Sequence, residues 1–118
     1  MAPAATIIDA LNLVESLIDA ELFKEAKSLL RDTIPTARRT LDSEHDLMLT
    51  LRSLYACTIY RDTNSSRAVH EAVAILEDVL QTTRRVFGTS HPNFIEFGTY
   101  LENARMRLAD DESRAADA

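Results

Sequence analysis

The chain has 118 residues, enough for one hydrophobic core, and a formal net charge of −6. Two glycines and three prolines are too few to punctuate a β-sandwich, a barrel or a parallel sheet, whereas Ala, Leu, Arg and Glu are abundant helix formers. The acidic balance argues against nucleic acid and anionic membranes, and the lone Cys57 excludes an internal disulfide and a cysteine-based zinc site.

No apolar run approaches the ~20 residues of a membrane span. The opening Met1-Ala2-Pro3-Ala4-Ala5 lacks the positive charge that begins a signal peptide. An intracellular, cytoplasmic location is the expectation.

Residues 1–6 read as a lead, and the first helix is expected from about Ile7 to Asp19, with Thr6 and Asp9 at the spacing of a capping box. Its residues Ile7, Ile8, Leu11, Leu13, Val14, Leu17 and Ile18 cover nearly the whole circumference. A helix apolar all round is normally buried all round. Either a second copy covers it, giving a homodimer through this helix, or an upstream repeat did so.

A second helix is expected over about 22–41, with Phe23, Ala26, Leu30, Ile34, Ala37 and Leu41 at steps of three and four. Pro35 interrupts it at a cost of roughly 3 kcal/mol in a regular helix, and because the stripe continues in phase a kink is preferred to a break. A third helix over about 46–61 is preceded by Ser43, again at capping-box distance from Asp46. The polar run 62–66 is the clearest internal loop.

The fourth helix is expected over about 67–87, ending at Gly88 in a left-handed cap. Pro92 suits the first turn of a fifth, running to about Ala109. Residues 110–118, carrying Asp110, Asp111, Glu112 and Asp117 against Arg114, read as a disordered acidic tail.

The chain repeats itself. Glu25-Ala26, Leu30, Arg38-Arg39 and His45 recur 46 residues later as Glu71-Ala72, Leu76, Arg84-Arg85 and His91. An Ala-centred helix ending in Arg-Arg-x-Phe-Gly-x-x-His-Pro resembles the tetratricopeptide repeats of the kinesin light chain type, which are longer than the standard unit of about 34 residues. The resemblance spans roughly residues 7–105. The earlier copy departs from it, with Asp42 and Asp46 where the later one has Gly88 and Pro92.

The resemblance implies an all-α fold of tandem antiparallel helix hairpins, a tetratricopeptide-like α-solenoid of about five helices. Hairpins fall at about 7–41 and 46–87, and a capping helix at about 92–109, within one repeat domain over 7–109. Ala26 and Ala72 take the small positions of close helix approach. Leu13, Tyr55 and Leu101 pack within the first helices, while Val14 and Glu102 replace the small Ala56.

By the same resemblance the concave face is lined by Leu11, Glu15 and Ile18, by Thr50, Ser53, Cys57, Tyr60 and Arg61, and by Glu96, Thr99 and Asn103. Tyr60 and Arg61 are the expected anchors. The implied function is a protein–protein interaction scaffold holding a partner peptide or helix in that groove. The alternative is a non-catalytic fragment or regulatory module of a larger multidomain protein, for example one carrying a MYND-type zinc finger.

Catalysis finds little support. His45 and His91 begin helices at matched positions, which favours structural roles, and no His-Glu-x-x-His occurs. Gly88 and Gly98 are too far apart for a phosphate loop. The pairs Arg38-Arg39 and Arg84-Arg85 read as solvated helix surface. No enzyme activity, metal or cofactor is expected.

Overall fold

The computed structural model describes residues 4–117. Five helices run in sequence: α1 (Ala4–Asp19), α2 (Phe23–Arg38), α3 (Asp46–Arg61), α4 (Ser66–Phe87) and α5 (Pro92–Asp117), with no strand among the described residues. Each helix packs on the next, and α3 also touches α1 and α5, as stacked hairpins require. Extents of 50 × 31 × 21 Å fit such an elongated stack. The fold is an all-helical repeat solenoid.

The buried positions follow the sequence stripes. Ala26, Leu30, Ile34 and Ala37 of α2 meet Ile7, Leu11, Val14 and Ile18 of α1, together with Met48, Leu51 and Leu54 of α3. Val69, Ala72 and Leu76 of α4 meet Ala56, Ile59 and Tyr60 of α3, with Leu101 and Ala104 of α5. Ala26 and Ala72 are both fully buried, in equivalent places of the two hairpins. Buried hydroxyls are satisfied locally: Thr33 donates to the Leu29 carbonyl and Thr83 to that of Val79.

Several helix ends differ from expectation. Helix α1 already includes residues 4–6 of the expected lead, so Thr6 lies inside it and opens no capping box; residues 1–3 lie outside the described residues. It ends at Asp19, and in the turn just beyond it Glu21 has a left-handed φ of 61°. The Glu21 amide donates to Ile18 and the Leu22 amide to Leu17, which satisfies the last carbonyls without glycine. Helix α2 passes through Pro35 as one helix but ends at Arg38, not Leu41.

Helix α3 is capped by His45 rather than Ser43, with imidazole Nδ1 accepting from the Leu47 amide at 3.1 Å. His91 makes the same bond to the Asn93 amide at 3.1 Å and lies against the Phe87 ring, so the repeated histidines act as helix caps. The Asp46 carboxylate lies 3.0 Å from the same His45 nitrogen, and the two bonds are alternatives, since Nδ1 accepts only when unprotonated. Helix α4 starts at Ser66 behind a Ser65 cap. Gly88 has φ 88° and ψ 170°, outside the left-handed helical region but still a conformation that suits only glycine, and its amide is shared by the Thr83 and Arg84 carbonyls.

The expected disordered tail is instead the end of α5, which continues to Asp117; Ala118 lies outside the described residues. The physical reason is a charge ladder on one helix face. Asp111 receives Arg107 at 3.2 Å and Arg114 at 2.9 Å, and Glu112 lies 3.7 Å from His70 of α4. Arg107 also donates to the carbonyls of Tyr60 and Thr63, tying α5 to the loop after α3.

Repeat position alone does not decide burial. Leu13 is 52 % exposed, against the expectation that it packs like Tyr55 and Leu101, because none of the described helices packs against that side of α1. Val14, one residue on, is fully buried instead. Most of the apolar circumference of α1 is thus used within the chain, and Ile8 and Leu13 are its exposed apolar remainder. On α5 the positions equivalent to Leu49, Ser53, Ala56 and Tyr60 of α3 are Ile95, Thr99, Glu102 and Met106, and all four are exposed. Glu102 is thus tolerated, since none of the described helices packs there.

Ala26→Leu and Ala72→Leu are expected to destabilise the chain by about 1–3 kcal/mol each through overpacking, while Leu13→Ala changes stability by less than about 0.5 kcal/mol. Urea denaturation followed by circular dichroism reads the difference.

Candidate functional site

Stacking places α1, α3 and α5 side by side on one face, and a groove of ≈ 500 Å³ lies between them. Ile18 and Asp19 come from the end of α1, Leu54, Cys57, Tyr60 and Arg61 from α3, and Tyr100 and Asn103 from α5. On α3 these residues recur at helical spacing because the faces turned to α2 and α4 are already filled by core residues.

Of the residues expected on the concave face, Ile18, Cys57, Tyr60, Arg61 and Asn103 line this groove. Leu11 and Ser53 do not: Leu11 is packed into the core against α2, and Ser53 is fully buried with its hydroxyl on the Thr50 carbonyl. Thr50 is half-buried and bonded back to Asp46. Thr99 lies on the uncovered side of α5 with its hydroxyl on the Ile95 carbonyl. Glu15 and Glu96 stand outside the lining, and the Glu96 charge is close enough to help raise the pKa of Glu15.

Asp19, Leu54 and Tyr100 were missed by sequence reasoning. Tyr100 sits where α3 has Leu54, so the 46-residue register, applied to α5, contained the signal. Arg61 is partly engaged already, with its guanidinium 4.7 Å from the centroid of the Phe23 ring.

Acidic side chains gather beside the groove, Asp19 in its lining with Glu15 and Glu96 next to it. Burial raises the pKa of Glu15, and the nearby charges of Glu96 and Asp19 raise it further. Burial likewise raises Tyr100, whose hydroxyl donates to Glu96. Tyr60 is raised by burial and by neighbouring Cys57. Burial pushes the Cys57 thiol up to about 12, against the opposing pull of the Tyr60 hydroxyl and the Arg61 charge.

A thiol held that high carries little thiolate, the opposite of what a nucleophile needs. Among the described residues no group of three or more His, Cys, Asp or Glu side chains is placed to hold a metal ion. No described helix is long and apolar enough to cross a membrane. What the groove offers is shape and an apolar floor, with acidic side chains beside it.

At pH 8 Cys57 should react with a disulfide reagent at least ~100-fold more slowly in the native chain than in urea, given its depleted thiolate; comparable rates would contradict its environment. Glu15, with its folded pKa raised, favours the native state only when protonated, so its ionisation removes stability as pH rises through that value. Glu15→Gln is therefore expected to raise the melting temperature at pH 7 by no more than about 2 °C, given its exposure, and to have no effect below the unfolded value of 4.5.

Comparison with known proteins agrees with this architecture. Residues 64–93 match the family model described as a tetratricopeptide repeat, a span holding α4, Gly88 and His91. No curated protein and no solved structure gives a significant match. The kinesin light chain subtype is a finer assignment than that match makes. The chain carries a tetratricopeptide-type repeat at residues 64–93, set within an all-helical repeat fold.

Proposed function

We propose that the chain is a non-catalytic protein-interaction scaffold that holds a peptide or helix of its partner in the groove between α1, α3 and α5. One observation carries this reading: three helices from successive repeat units contribute side chains to a single groove of ≈ 500 Å³. A tetratricopeptide repeat within the chain supports a protein as the partner. Ile18, Leu54 and Tyr100 would receive an apolar side chain, with Tyr60 and Arg61 as anchors at the end of α3.

Charge narrows the partner. Glu15, Asp19 and Glu96 outnumber Arg61 around the groove, so a segment bearing Lys or Arg beside an apolar residue fits best. A homodimer through α1 has less to draw on, since Ile8 and Leu13 are its exposed apolar residues among polar neighbours.

Peptide display against the chain is the test. Enriched peptides should carry basic residues next to apolar ones, bind more weakly as salt rises, and lose at least about tenfold in affinity to an Asp19→Lys, Glu96→Lys variant. Asn103→Arg, which fills the groove, should abolish binding without changing the melting curve. Peptides that bind this variant as well as the wild type would overturn the assignment.

A further inference from the structure

The second helices of the hairpins, α2 and α4, both pack on α3 but do not touch one another. Between them, on the side of α3 away from the groove, lies a second cavity of ≈ 310 Å³. Arg31 and Arg38 of α2 and Arg52 of α3 are three arginines in its lining. Arg31, Ile34, Pro35 and Arg38 follow the helical spacing of one face, so α2 supplies a complete wall.

We propose that this cavity binds a small aromatic anion, a carboxylate or phosphate carried on a single ring. Charge is the first argument. In a chain of net charge −6, three arginines on one cavity run against the average. Of these three arginines, Arg52 alone has a carboxylate partner among the described residues, Asp78 at 2.8 Å, and that aspartate is 61 % exposed. Such a surface pair is weak, and it leaves the donors of Arg31 and Arg38 free for a planar anion that can be gripped at two oxygens.

The floor is the second argument. Ile34, Pro35, Tyr55 and Ile75 give the cavity apolar and aromatic walls, so the bound species carries more than its charge. Pro35 costs the helix one backbone hydrogen bond but supplies a rigid ring at this wall. The volume stands at the low end of small-molecule sites, about 300–1,000 Å³, which suits one ring and one anionic group. The sequence alone reads Arg38 as solvated surface; only the packing of α2 against α3 brings it together with Arg52.

Titration of the isotope-labelled chain with phenyl phosphate, benzoate and inorganic phosphate, followed by amide chemical shifts, tests the proposal. At least one aryl anion should saturate, with shifts centred on α2 and α3, and should bind at least about tenfold more tightly than inorganic phosphate. The tighter of the two aryl anions identifies the anionic group. An Arg31→Gln, Arg38→Gln variant, both positions being exposed and outside the core, should weaken binding at least about tenfold, whereas Asn103→Arg leaves it unchanged, which separates this site from the groove. The proposal fails if neither aryl anion saturates, if the double variant binds as tightly as the wild type, or if inorganic phosphate binds equally well.

Discussion

Helix α3 touches all four other helices, and the rest of the molecule is arranged around that burial. From Leu51 to Tyr60 only Arg52 and Tyr55 escape full burial. One face meets α1 and α2 through Met48, Leu51 and Leu54, and another meets α4 through Leu49, Ala56 and Tyr60. A helix surrounded in this way has no polar side to spare. Its buried Ser53 and Thr58 therefore turn their hydroxyls back to carbonyls of the same helix. Small residues such as Ala56 and Ala72 let the neighbours come close enough to exclude water.

That arrangement creates two different surfaces. On one side the first helices lie together, and their remaining faces make a groove with acidic side chains beside it. On the other side the second helices stay apart, and the gap between them gathers arginines. The different charge of these surroundings is invisible in the net charge, because helical periodicity sorts side chains by face rather than by order along the chain.

Much of this was legible in the sequence. The 46-residue recurrence located both hairpins and the two buried alanines, and the paired histidines marked the starts of α3 and α5. What escaped depended on neighbours that a pattern does not contain. Leu13 occupies the same repeat position as Tyr55 and Leu101, yet its burial requires a hairpin on the far side of α1. Leu11 and Ser53 lie a fraction of a turn from the groove, which periodicity over a short helix does not resolve. The helix over 110–117 rests on Asp111 gathering two arginines, a tertiary and helical effect that composition reads as an acidic tail. A histidine capping a helix through Nδ1 is likewise outside the usual Ser, Thr, Asp and Asn signal.

Arg107 gives the last turns of α5 a reach beyond their own helix. By donating to the carbonyls of Tyr60 and Thr63 it caps the end of α3 from a position 47 residues further along the chain. Asp111, which holds the same guanidinium, thereby belongs to the closure of a distant turn as much as to its own helix. These bonds tie the C-terminal turns to the connection between α3 and α4, so fraying that passes Arg107 also releases the carbonyls of Tyr60 and Thr63.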